Sequence, residues 1–257
     1  MLYIYHYKEL IITLVQRELK SRYRGSIFGY LWSFINPLLL LAIYSFVFSF
    51  IFKPKIEGIT PYALFLFIGL LPWNWFSGSL NESCISFQES SGILKKIYFP
   101  LEIIPIVKVL AQGFHFLFSF PIIILALTFT NHLKVSFIFF PISFLLQLFF
   151  TSFLSIIIGI LGVYFKDLKD LLSNILHFLF FATPIIYSME MIPNSILKKI
   201  ILFNPLTHLM RLWQDPLFYG KLPSIKSILY ILIFIVIFSI MYNYIFKRLK
   251  EEIVERI

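Results

Sequence analysis

ELKSRYRGSIFGYLWSFINPL, Glu18 to Leu38, passes within twenty-one residues from a basic, surface-seeking helix into an apolar segment. Lys20, Arg22 and Arg24 end its polar part, Gly25 and Gly29 loosen the backbone, and Trp32 is placed to sit at the headgroup level of a bilayer. From Leu38 to Phe52 the chain is nearly free of polarity. The stretch marks where water ends and lipid begins, and the fold class follows from it: an all-α integral membrane protein.

The composition agrees. Of 257 residues 59% are hydrophobic and 14% charged, with mean hydropathy +0.87, where soluble domains carry about 25% charged residues. The start of the chain does not read as a cleavable signal, because Lys8, Glu9, Arg17 and Glu18 interrupt it. Cys84 is the lone cysteine, which excludes an intramolecular disulfide and a cysteine metal cluster. The net charge of +9 lies beside apolar spans and forms no soluble basic domain, so it points to anionic lipid headgroups and not to nucleic acid.

Between Tyr7 and Tyr23, the apolar Leu10, Ile11, Leu14, Val15 and Leu19 recur at helical spacing, with Glu9, Gln16, Arg17 and Lys20 on the other side. This predicts an in-plane amphipathic helix. Six segments then have the length for a crossing of about 20 residues: roughly 29–52, 60–82, 103–130, 136–164, 171–188 and 226–246. The chain thus reads as one membrane domain, with the amphipathic helix in 1–26, six spans in 27–246 and a tail in 247–257. Lys and Arg are more numerous on the amphipathic-helix side than in the opposite connections, where Lys53, Lys55, Lys134, Lys198, Lys199, Arg211, Lys221 and Lys226 fall. The positive-inside rule then puts both termini in the cytoplasm.

Two connections are elaborate. Glu82–Glu102 has a polar run, a glycine and then Ile93, Leu94, Lys95 and Lys96, a pattern for a short surface helix that offers apolar and basic contacts to a partner. Ser188–Ser224 holds two apolar stretches, Ile196–Phe203 and Leu206–Trp213, split by Asn204-Pro205. Each is too short to span, which predicts re-entrant or interfacial half-helices.

No GxxxxGK[ST] phosphate loop, HExxH or GxSxG occurs, and the five histidines lack ligand-like spacing. The chain therefore reads as no enzyme, with no metal, and any ATP it uses is bound by another polypeptide. Lys108, Glu102 and His115 lie in or beside the third span; snorkelling of Lys108 and an interhelical hydrogen bond of His115 account for them better than a proton relay does. The aromatics Tyr30, Trp32, Tyr44, Trp73, Trp75, Phe76 and Tyr187 suit headgroup belts, or a passage on which sugar rings stack.

At this point the opening stretch becomes specific. ELKSRYRGSIFGYLWSFINPL resembles the N-terminal signature of ABC-2 type permease subunits, in particular exporters of O antigen, capsule and teichoic acid. The likeness continues through ESSGILKKIYFP, YFKDLKDL, TPIIYS and NPLTHLMRLWQDPLFYG and covers essentially the whole chain, with Glu18 where many relatives carry Asp.

The resemblance implies a six-helix protomer in the cytoplasmic (inner) membrane, paired with a second copy of itself and with two separate ATPase subunits that carry ATP and Mg. It implies contacts to the ATPase through Arg17 and Lys20 and through Glu89, Ser90, Ser91, Gly92, Ile93, Leu94, Lys95 and Lys96. A lipid-linked glycan would meet Arg22, Arg24 or Lys108 with its headgroup and the aromatics with its sugars, and an outer gate would include Ile196, Ile200, Leu206, Leu209, Arg211 and Trp213. Alternatives are the same architecture with teichoic acid or a hydrophobic small molecule as cargo, and an ion-coupled carrier.

Overall fold

The computed structural model describes residues 7–52, 59, 61–94 and 99–256, and among them all regular structure is helical. Helix α1 (Lys8–Arg22) buries Val15 and Leu19 and leaves Arg17 and Lys20 exposed, as its periodicity requires. Gly25 and Gly29 follow at φ +80° and +50° with open space where a Cβ would stand. The backbone, not crowding, therefore calls for glycine at this joint.

After the joint a single turn (Gly29–Leu31) leads into α2 (Trp32–Phe46). The chain continues as α3 (Tyr62–Glu89), the one-turn α4 (Ser91–Leu94), α5 (Ile103–Phe129) and α6 (Phe140–Tyr164). Then come α7 (Leu168–Phe181), α8 (Ser195–Phe203), α9 (Pro205–Gln214) and α10 (Ile225–Arg256). Among the described residues five segments are long and apolar enough to cross a membrane: Gly29–Phe46, Tyr62–Glu89, Ile103–Phe129, Val135–Tyr164 and Ile225–Phe246.

The segment expected at 171–188 departs from expectation. Its helix, α7, has 14 residues, about 21 Å at 1.5 Å per residue, against a hydrocarbon core of about 30 Å. Helix ends at Phe181 because Pro184 disfavours helical geometry at Thr183 and offers no N–H of its own. A second correction concerns Glu82–Glu89, expected as part of a connection: α3 carries on unbroken through it. The expected contacts Lys95 and Lys96, and Lys53 and Lys55 on the opposite side, lie outside the described residues.

Helix α3 is the hub, packing against α2, α5, α6, α7 and α9. In its most apolar eighteen-residue window 83% of residues are buried, against 11% in α2 and in α10. It approaches α6 so closely that a Cβ on Gly162 would overlap the Cys84 carbonyl oxygen, while Gln88 Nε2 donates to the Gly162 carbonyl at 2.9 Å. Ile253 of α10 shares a core cluster with Val15 and Leu19 of α1, so the two ends of the described chain meet on one side of the bundle.

On the far side, two asparagines shape the α8–α9 hairpin. Asn194 Oδ1 accepts from the N–H groups of Ile196 and Leu197 at the start of α8. Asn204 Oδ1 accepts from Leu206 N–H at 3.0 Å, with Pro205 at the first position of α9, where a missing N–H costs nothing. Exposed Ile196, Ile200 and Phe203 make α8 a surface helix, whereas α9 is buried along most of its length.

Candidate functional site

Within α3, Ala63 to Trp73 are buried all round. From Asn74 onward one face opens. Asn74, Ser77, Gly78, Asn81, Glu82, Ile85, Gln88 and Glu89 are partly or fully exposed, at steps of three and one that keep them in one stripe. All but Gly78 and Ile85 are polar. Hydrocarbon does not accept such a face; it belongs against water or against other protein.

Two cavities meet the stripe at Asn74. One of about 320 Å³ lies between α3 and α7, lined by Trp73, Asn74, Ser77 and Asn81 on one wall and by Ser173 and His177 on the other. The second, about 510 Å³, lies between the glycine joint, α2, α3 and α5 and includes Tyr23, Trp32, Asn36, Gln112 and His115. Asn74 lines both.

At the α1 end of the stripe stands an ion group that binds three elements together. Arg22 of α1 pairs with Glu82 of α3, whose Oε1 also accepts from Gln112 Nε2 at 2.7 Å. Lys108 of α5 donates to Glu18 Oε1 at 2.7 Å and Glu89 Oε2 at 2.9 Å. Two of the three cations expected to meet an anionic headgroup are thus already held by carboxylates, and these five groups carry a formal charge of −1. The geometry makes Lys108 a tie between α1, α3 and α5, not an open cation. Arg24 is exposed.

At the far end α9 fills the bundle. Leu206, Leu209, Met210 and Leu212 join Leu66, Leu70, Trp73 and Ile185 in one apolar cluster. Gln147 of α6 ties this plug to α3: its Nε2 donates to the Pro72 carbonyl at 2.8 Å, and its Oε1 accepts from Trp213 Nε1 at 2.6 Å. Among the expected gate residues, Leu206, Leu209 and Trp213 are therefore core, Ile196 and Ile200 are exposed on α8, and Arg211 lines a far-side cavity of about 230 Å³ with Glu190, Asp215 and Lys221. Burial pushes the Asp215 carboxyl above its ordinary range, opposed by Arg211 and Lys221.

The expected pore aromatics divide in the same way. Trp75 and Phe76 are 2% and 1% exposed; Trp75 stacks on Phe116, lies tilted against Phe144 and lines the larger cavity, whereas Phe76 sits in the core cluster with Trp73 and Phe150. Trp73 is buried but borders the smaller one. Tyr30 is exposed beside Tyr23, Trp32 is half-buried, Tyr44 stacks on Phe48, and Tyr187 donates to the Phe181 carbonyl. Of the expected ATPase contacts, Glu89 is bound to Lys108, Gly92 is exposed, Ser90, Ser91 and Leu94 are half-buried, and Ile93 falls on α4 without a described side chain. Asn74, Ser77, Asn81, Ser173 and His177 were not singled out by the sequence reading. Their signal is there: polar residues recur at helical spacing inside apolar helices. Among the described residues no group of His, Cys, Asp and Glu could hold a metal ion.

Residues 9–218, from the first turn of α1 to the turn after α9, match the profile described as ABC-2 type transporter. The chain belongs to the ABC-2 type transporter family. It is 33% identical over 256 residues to the O-antigen export system permease protein RfbA of Myxococcus xanthus, covering 99% of this chain and 97% of that protein. It is 38% identical over 227 residues to an RfbA of Klebsiella pneumoniae, covering 87% and 86%. The polysialic acid transport protein KpsM of Escherichia coli is 25% identical over 237 residues, 88% of each chain. The whole polar stripe of α3, the ion group and the α9 plug fall inside the part that makes this an ABC-2 protein.

Proposed function

We propose that this chain is the permease subunit of an ATP-driven exporter that moves a lipid-linked polysaccharide across the cytoplasmic membrane. The observation that carries this reading is the polar stripe of α3, exposed along one half of a membrane helix and shut off by α9 in the other. A hydrophilic polymer needs such a wall; a hydrophobic cargo does not. The relatives named for O-antigen and polysialic acid transport agree with it.

The side carrying α1 and the end of α10 is cytoplasmic, in line with its excess of Lys and Arg. The chain has no phosphate-binding loop, so two partner ATPases hold ATP and Mg and press on exposed Arg17 and Lys20 and on the segment Ser90–Lys96. A second copy covers the sparsely buried α2 and completes the passage. Segment 182–188 prolongs α7 into a sixth crossing, and α9 is a re-entrant half-helix that must shift for transport. In a host lacking this gene, surface polymer should vanish and lipid-linked polymer accumulate inside, both restored by the intact chain. Undiminished surface polymer in the deletion strain would overturn the reading.

A further inference from the structure

At the end of the bundle away from α1, a cavity of about 230 Å³ opens between the turn after α7, the end of α9 and the turn that leads into α10. It is smaller than pockets for drug-sized ligands, which run to about 300–1,000 Å³. Its wall carries two cations, Arg211 and Lys221, and two carboxylates, Glu190 and Asp215. Among the described residues none of these four side chains takes part in an ion pair or a hydrogen bond. Glu190 and Lys221 are exposed, so water serves them. Asp215 is 9% exposed and Arg211 half-buried, and for them a missing partner is costly. The Lys221 ammonium stands 5.3 Å from the centre of the Tyr219 ring, which lines the same cavity. Leu222 and Ser224 are also on the wall, and the apolar span Ile225–Phe246 begins at the next residue. The cavity therefore lies at the headgroup level of the leaflet opposite α1. Beyond it α10 turns Ile225, Leu229, Ile233, Val236 and Ile240 outward in one exposed stripe at helical spacing.

We propose that this cavity seats the headgroup of a zwitterionic phospholipid with a primary ammonium, its phosphate on Arg211 and Lys221, its ammonium on Glu190 and Asp215, and its acyl chains along the α10 stripe. The charge pattern selects the class. A simple anion meets two carboxylates here, and a simple cation meets two cations. A ligand that carries both charges pairs all four side chains through charge-assisted hydrogen bonds. A choline headgroup has the same net charge but no N–H to donate, so it leaves both carboxylates without a hydrogen bond. A lipid held in the cavity touches the turn after α7, α9 and the turn before α10 at once, and so staples the outer end of the bundle. The site is independent of the cargo and needs only that the chain spans a bilayer.

In the test, the full chain is reconstituted in phosphatidylcholine vesicles that contain a trace of one of three photoreactive lipids. The three share acyl chains with a diazirine close to the glycerol and differ only in headgroup: phosphoethanolamine, phosphocholine or phosphoglycerol. After irradiation and digestion adducts are mapped by mass spectrometry, and those at exposed Leu125 and Phe129 of α5 serve as the reference. On residues 188–229 the ethanolamine lipid should exceed each of the others by about fivefold relative to that reference, the worth of one net hydrogen bond. Arg211→Gln should lower its yield there by about fivefold. Glu190→Gln combined with Asp215→Asn should leave the ethanolamine lipid no advantage over the glycerol lipid. Equal yields of the three lipids on residues 188–229 overturn the site. A preference for the glycerol lipid in the parent chain marks an anion site and overturns the zwitterion. An ethanolamine preference that survives both carboxylate changes overturns the roles of Glu190 and Asp215. Should Arg211→Gln keep the chain from folding, as judged by the reference adducts, Lys221→Gln at the exposed cation takes its place with the same expectation.

Discussion

Lys108→Met removes a charge and keeps the bulk of the stem, so its effect isolates the tie between α1, α3 and α5. Lys108 is 9% exposed in its side chain and bonds Glu18 at 2.7 Å and Glu89 at 2.9 Å. Abandoning the partner of a fully buried ion pair costs about 3–5 kcal/mol. Glu89, 49% exposed, can turn to water, and its share falls in the range of about 0–1 kcal/mol for surface pairs. Glu18, 24% exposed, keeps most of the penalty, which puts the total near 2–3 kcal/mol. For a chain of this size that is a melting shift of about 4–12 °C, readable as loss of the monodisperse size-exclusion peak of nanodisc-embedded protein on heating. Glu18→Gln in the same chain removes the stranded charge and should recover part of the loss, with a coupling of about 1–2 kcal/mol across the double-mutant cycle. Additive effects, or no effect of Lys108→Met, would refute the tie and return Lys108 to the pool of open cations.

Gly162→Ala should push α6 off α3 at Cys84, an overpacking of about 3 kcal/mol or more, seen as loss of folded protein in membranes. Gln147→Leu strands Trp213 Nε1 and weakens the α9 plug by about 2 kcal/mol, measured as a lower melting temperature. Asn81→Leu should leave melting within about 0.5 kcal/mol of the parent, as for a surface change, while lowering surface polymer. Asp215, its folded-state pKa raised by burial, favours the folded state most below its unfolded value of about 3.9 and loses that contribution as pH rises through the folded value. Melting temperatures taken from about pH 4 upward should therefore fall more steeply in the parent than in Asp215→Asn.

The helical membrane architecture was legible in the sequence because apolar length and the period of Leu10, Leu14, Val15 and Leu19 are local properties. The half-helices were legible for a similar reason: Asn204-Pro205 is both a break and a cap. The partner of Lys108 was not, since Glu18 stands ninety residues away and nothing local selects it over Glu102. Nor does hydropathy rank α2 against α3, which are similar in composition and opposite in burial. Aromatic abundance does not separate packing from exposure: with 32 phenylalanines in the chain, Phe76 is buried in the core, while the exposed stripe of α3 is made largely of small polar residues between such aromatics. The end of α7 at Phe181 was not legible from hydropathy, because Ile185, Ile186 and Tyr187 extend the apolar run beyond the point where Pro184 stops the helix.

The central claim is that the stripe from Asn74 to Glu89 faces water on the cytoplasmic side while the preceding half of α3 is sealed. Cys84 is the single cysteine and is buried, so Cys84→Ser provides a background without thiols. In inside-out vesicles of that background, Asn74→Cys, Ser77→Cys and Asn81→Cys should react with a charged methanethiosulfonate, and Phe67→Cys, at 0% exposure, should not. Failure of Asn81→Cys to label, or equal labelling of Phe67→Cys, would contradict the account.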